Sequence, residues 1–135
     1  MDKELFAAAS AVRVRAHAPY SRFHVGAAIR TAAGAVHIGA NVENASYPEG
    51  WCAETSAIAQ MIAAGGSDAA RRIAAVSVVA ERIDGRLTTP CGGCRQRLAE
   101  FAGPDTPVDV IDPSGEGRSF TLRELLPSAF DMDGR

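Results

Sequence analysis

The densest chemical signal in this 135-residue sequence comes from Cys52-Ala53-Glu54 and, well downstream, Pro90-Cys91-Gly92-Gly93-Cys94. Each cysteine group follows a loop and stands where a helix is predicted to begin. The free N–H groups and partial positive charge of a helix N-terminus favour thiolate over thiol. A Cys-x-x-Cys pair on a first helical turn can set two sulfurs on one cation, and Cys52 can bring a third. Three protein ligands leave zinc a fourth position for water, the arrangement of a catalytic site. Two plainer readings compete. A Cys-x-x-Cys pair can be a redox couple, although no thioredoxin-like pattern surrounds this one. A structural zinc needs a fourth ligand, and His17, His24 and His37 are candidates, none at tight ligand spacing to a cysteine. An odd count of three cysteines cannot pair fully into disulfides, which suits metal binding or catalysis in a reducing compartment.

Glu54 lies two residues after Cys52. An acid in a helix's first turn is ordinarily there for the helix dipole. Here the carboxylate is within reach of any water on a metal held by Cys52. Such a water needs a base to take its proton and an acid to return it to a leaving group, and Glu54 can do both. Asn41 and Glu43 are also two apart, so an extended segment points both to one side. There an amide and a carboxylate can fork onto one hydroxyl. Taken alone, turn chemistry explains the asparagine equally well. Phe23 and Phe130 read first as core residues.

The elements that must place these groups follow from hydrophobic pattern and breakers. A helix is predicted over 4–16, closed by Pro19. Two short apolar runs, 25–32 and 35–40, flank Ala33-Gly34 and suit a hairpin. Residues 41–51 lack periodicity and form a loop long enough to suggest function. A helix over 52–64 stops at Gly65-Gly66. The continuous apolar run 73–80 reads as a strand buried on both faces. After a loop over 85–90, a helix runs from Cys91 to Ala102 and breaks at Gly103-Pro104. Strands over 108–111 and 118–121 flank the turn Pro113-Ser114-Gly115, and 122–126 forms a last short helix. Alternating helices and strands predict one α/β domain over 1–135, a central sheet flanked by helices.

Composition limits the partners. The chain is 47% hydrophobic and 22% charged with a net charge of −2, ordinary for a globular protein and without an electrostatic footprint for nucleic acid or anionic membrane. The clusters Arg71-Arg72 and Arg95-Gln96-Arg97 read as solvated surface. No apolar run approaches the length of a membrane span, and the opening residues show no signal pattern, so a cytoplasmic location is expected.

Taken together, several stretches are highly specific. They are Pro19-Tyr20-Ser21-Arg22-Phe23, Val25-Gly26-Ala27, Asn41-Val42-Glu43-Asn44-Ala45, Tyr47-Pro48, Cys52-Ala53-Glu54, Pro90-Cys91-Gly92-Gly93-Cys94-Arg95-Gln96 and Glu124-Leu125-Leu126-Pro127. Over essentially its whole length the sequence resembles the homotetrameric zinc-dependent cytidine deaminases, whose zinc pattern is a first Cys or His, a Pro-Cys-x-x-Cys pair and a glutamate that is not a ligand. The resemblance implies a three-layer α/β/α fold with a mixed five-stranded sheet. It implies one zinc per chain on Cys52, Cys91 and Cys94. Water activated there would attack C4 of cytosine while Glu54 protonates N3 and then the departing amine, releasing ammonia and a uridine from cytidine or 2′-deoxycytidine in pyrimidine salvage. Phe23, Asn41, Glu43 and Ala53 would contact the nucleoside, with Asn41 and Glu43 on the ribose 3′-hydroxyl. Ala45, Tyr47 and Phe130 would reach the pocket of a neighbouring subunit in a homotetramer with shared sites. Cys52 in place of histidine favours a free nucleoside over a nucleic acid, as does the lack of a basic channel. The nearest rivals are a blasticidin S deaminase, which shares the zinc motifs, and a zinc-stabilised binding module, which leaves Glu54 unexplained. One departure stands out. Many members carry Arg directly after the catalytic glutamate, against the zinc thiolates, where this chain has Thr55. Helix N–H groups, or another arginine such as Arg95, are then expected to offset the thiolate charge.

Overall fold

The computed structural model describes residues 1–132 and builds them around one five-stranded sheet, in the order β2-β1-β3-β4-β5. The strands are β1 (Val25–Thr31), β2 (Val36–Ala40), β3 (Ile73–Ala80), β4 (Pro107–Ile111) and β5 (Gly117–Thr121). The helices are α1 (Lys3–Arg13), α2 (Ala53–Ala64), α3 (Gly92–Phe101) and the single turn α4 (Leu122–Leu125). β1 pairs antiparallel with both β2 and β3, β3 runs parallel to β4, and β5 returns antiparallel. Because β2 and β3 both oppose β1, they run the same way and end at the same edge of the sheet. α2 and α3 both start at that edge, which brings their N-termini together.

Strand alternation sorts the apolar residues into two layers. Ala27, Ile29, Val76, Val78, Val108 and Val110 face α2 and α3, packing with Ala57, Met61 and Leu98. Ala28, Val79 and Ile111 face the other way and pack with Leu5 and Ala9 of α1. The arrangement is the expected three-layer α/β/α, and β3 is buried on both faces. Two glycines set how closely the helices approach. A Cβ on Gly26 would lie 2.0 Å from the Ala9 carbonyl oxygen, and one on Gly39 would lie 2.4 Å from the Ala57 backbone nitrogen. α1 and the start of α2 rest directly on the sheet at these points.

The predicted elements are all present, with shifted ends. The first helix stops at Arg13 rather than at residue 16. Long-range pairing draws the chain out of helical geometry there: His17 N–H donates to the Asn41 carbonyl at 3.0 Å, and its own carbonyl accepts from Glu43 N–H at 2.8 Å. Asp2 caps the start of α1, its side chain accepting from Leu5 N–H, while Asp109 on β4 accepts from the Asp2 N–H. The 41–51 loop is more ordered than its composition suggests. Val42 and Trp51 exchange both backbone hydrogen bonds at 2.9 Å, and a 3-10 turn covers Tyr47–Glu49. A second 3-10 turn, Asp68–Arg71, precedes β3 and was likewise not apparent from the sequence.

Candidate active site

Cys52 is the N-cap of α2 and Cys91 the N-cap of α3, while Cys94 sits in the first turn of α3. The three thiols are free, and their sulfurs all lie within 4.8 Å of one another. A Zn–S bond of about 2.3 Å at tetrahedral angles puts two sulfurs roughly 3.8 Å apart. Cys52 and Cys91 sulfurs are 3.9 Å apart. The donor set and its spacing therefore fit zinc. The Cys52 thiol sits below its usual range because its sulfur accepts from Cys94, and Cys94 is driven far up by holding that proton and by burial. Sulfur ligates a metal as thiolate, so metal binding at these three cysteines releases their protons.

Glu54, in the first turn of α2, is only 4% exposed. Burial raises its carboxyl above the usual range, against the opposing pull of the Cys94 hydrogen bond and the Arg97 charge. A carboxyl that readily takes up a proton is what proton shuttling requires. It opens, with Cys52, Cys91 and Ala53, onto a cavity of about 590 Å³.

Phe23, Asn41, Glu43 and Tyr47 line the same cavity, so the structure gathers most of the residues singled out from the sequence. Asn41 and Glu43 border the same cavity, and both have structural duties. The Asn41 amide donates to the Phe23 carbonyl and accepts from Val25 N–H, each at 2.8 Å, which leaves one N–H free. The Glu43 carboxylate accepts from Tyr20 N–H at 3.0 Å, Ser21 N–H at 3.1 Å and the Ser21 hydroxyl. The Ser21 hydroxyl leads the interactions that lower the Glu43 pKa, so the group is an anion and retains lone pairs for a ligand.

The residues expected at a neighbour's pocket fall in different places on the chain. Tyr47 lines this chain's own cavity, where its ring meets Tyr20 edge-on with centroids 6.0 Å apart. Ala45 is exposed beyond the lining residues. Phe130 is 68% exposed and borders a separate groove beside α3 and α4. Arg95 does not reach the thiolates. Its guanidinium donates to the Pro90 carbonyl, the Leu125 carbonyl and the Thr89 hydroxyl, fixing the loop before Cys91. The arginine beside a sulfur is Arg97, 4.0 Å from Cys94, and Thr55 places its hydroxyl 3.7 Å from the same atom. Sequence reading also missed Trp51, Thr88 and Thr89 in the lining. Their adjacency to Cys52 and to Pro90-Cys91 was the available signal.

A protonatable carboxyl beside a three-sulfur metal site, with a cavity above both, is the equipment of a metal-dependent hydrolase. Comparison with known proteins narrows this class. The family described as "cytidine and deoxycytidylate deaminase zinc-binding region" matches residues 1–108, and the chain belongs to that family. It is 42% identical to a cytidine deaminase of Halalkalibacterium halodurans over 98% of this chain and 97% of that one. Among solved structures, the cytidine deaminase of Burkholderia pseudomallei superposes with a TM-score of 0.86 at 42% identity, covering 96% of this chain and all of that one. The Mycobacterium tuberculosis cytidine deaminase gives a TM-score of 0.79 at 37% identity, with 96% of each chain covered.

Proposed function

We propose that residues 1–135 work as one catalytic domain that holds one zinc on Cys52, Cys91 and Cys94. The domain hydrolyses cytidine and 2′-deoxycytidine to the corresponding uridines and ammonia, in pyrimidine salvage. The observation that carries this reading is Glu54, a glutamate 4% exposed beside the sulfur cluster and open to the cavity. Bound zinc supplies Lewis acidity that makes water a nucleophile near neutral pH. Glu54 takes the proton of the attacking water and delivers it to N3 of the base. It then carries the second proton to the amine leaving C4, so that one water is consumed and one ammonia released. Glu43 and the free Asn41 N–H bind the ribose 3′-hydroxyl, and Phe23 and Ala53 bound the nucleoside.

The assembled form is a homotetramer in the cytoplasm, with Ala45, Tyr47 and Phe130 contributing to a neighbour's site. Support comes from the cavity mouth, where Tyr20, Val42, Tyr47 and Trp51 are each at least half exposed. An apolar rim of this kind is suited to burial against another copy. Among the described residues no helix is long and apolar enough to cross a membrane.

The deciding experiment measures zinc content and ammonia release with cytidine, 2′-deoxycytidine and blasticidin S. One zinc per chain and preferential turnover of the nucleosides are expected. Turnover of blasticidin S alone, or a zinc-loaded protein that releases no ammonia, would overturn the assignment.

A further inference from the structure

Cys94 is the deepest of the three sulfurs, with no exposed surface. A divalent cation on three thiolates leaves a net negative charge there, and a buried net charge needs a partner. Thr55, directly after Glu54, offers the Cys94 sulfur only a neutral hydroxyl at 3.7 Å. Arg97 offers a cation, with Nη1 at 4.0 Å from the same sulfur. Helix geometry makes this contact possible. Residues three apart share a helix face, and long side chains lean toward the helix N-terminus. Gly93 supplies the room. A Cβ at that position would stand 3.2 Å from Arg97 Nη1, so the guanidinium folds back across space that a side chain would occupy. Arg95 is committed to Pro90, Thr89 and Leu125.

We propose that Arg97 is a positioning residue that offsets the charge of the Cys94 thiolate in place of a cation at position 55, an inference that rests on the three cysteines being zinc ligands. Arg97 is not among the cavity-lining residues, so it leaves nucleoside binding alone.

The test uses full-length wild type, Arg97→Gln and Arg97→Lys. Each is loaded with zinc and titrated with a competing chelator, then loaded with cobalt(II) for absorption spectroscopy. Arg97→Gln is expected to release zinc about 10- to 100-fold more readily, the usual range for a lost partner of a metal ligand. Its thiolate-to-cobalt charge-transfer band moves to longer wavelength, because sulfur without a neighbouring cation gives up an electron more easily. In the zinc enzyme kcat falls while KM for cytidine stays unchanged. Arg97→Lys, which keeps the charge, lies between the two. A folded Arg97→Gln protein with unaltered chelator competition and an unmoved band overturns the proposal. Arg97→Met, which keeps the packing of the stem, takes the place of the glutamine variant if that one fails to fold. A wild-type protein that binds neither metal through thiolates defeats the zinc assignment itself, which separates the two failures.

Discussion

Glu54 and Glu43 open onto one cavity, and their surroundings push them in opposite directions. Burial raises Glu54, whereas Ser21 and two backbone amides lower Glu43. Such a split suits the two roles of the proposed function, a raised carboxyl to move protons and a lowered one that stays an anion and accepts hydrogen bonds. Glu54→Gln is therefore expected to keep zinc while deamination falls by roughly 10²- to 10⁴-fold, the span of general acid–base catalysis. Zinc analysis beside kcat checks this, and a zinc-loaded Glu54→Gln protein of near-normal activity would remove the shuttle. Glu43→Ala should leave zinc in place and lower kcat/KM by about 10- to 150-fold, matching a charge-assisted hydrogen bond of roughly 1.5–3 kcal/mol. Unchanged kinetics would confine Glu43 to holding the loop at Tyr20 and Ser21. The residue types at the site were readable because zinc ligation and proton transfer restrict them to few choices. The role of Ser21 was not, since its bond to Glu43 joins positions 22 residues apart. Arg97 read as solvated surface because nothing in the sequence shows that Gly93 opens a path back to Cys94.

At the scale of elements, the placement of Cys52 and Glu54 depends on how closely α2 lies on β2. Gly39 meets the backbone of Ala53 and Ala57, which cannot rotate aside as a side chain would. Gly39→Ala must lift the start of α2, at an overpacking cost of about 1–3 kcal/mol, and Cys52 and Glu54 move with it. Zinc retention, kcat/KM and Tm are all expected to fall. Gly26→Ala strains α1 on the opposite face of the sheet, so Tm falls while zinc per folded chain is preserved. A Gly39→Ala protein with wild-type kcat/KM would show that the site tolerates displacement of α2. The turn between β4 and β5 makes a pH-dependent contribution. Asp112 accepts from Ser114 and Glu116 and pairs with Arg82 at 2.7 Å, which holds its pKa at about 2, below an ordinary 3.8. A carboxyl depressed on folding stabilises the fold above its unfolded pKa, and this is lost as pH falls through the folded value. Asp112→Asn should lower Tm at pH 7, and the difference from wild type should shrink below pH 4 and close near pH 2. A difference independent of pH would exclude the carboxylate as its source. Helix and strand identities were legible because glycine and proline punctuate the apolar runs. The end of α1 was not, because residue 17 pairs with a segment distant in sequence.

For the whole molecule, the open question is whether one chain makes a complete site. Phe130 is held through its backbone carbonyl by the Gln96 side chain at 3.1 Å, and the residue stands 68% exposed on the groove beside α3 and α4. It does not line the cavity that contains Glu54, Glu43 and Phe23. If Phe130 covers the base, it does so in another subunit, and closed homo-oligomers supply such reciprocal contacts. The two possibilities differ in what mixed oligomers can do. Phe130→Ala and Glu54→Ala chains are each expected to be poorly active alone. Within one chain, neither variant carries both residues, so a site formed in cis gains nothing from mixing. A site formed in trans takes Glu54 from a Phe130→Ala chain and Phe130 from a Glu54→Ala neighbour. Random one-to-one assembly makes that combination at about one quarter of the sites, from the product of two even chances. Co-expressed hybrids, verified by native mass, are therefore expected to regain up to about a quarter of wild-type kcat. Hybrids of confirmed composition that show only the average of their parents would place Phe130 outside the neighbour's site.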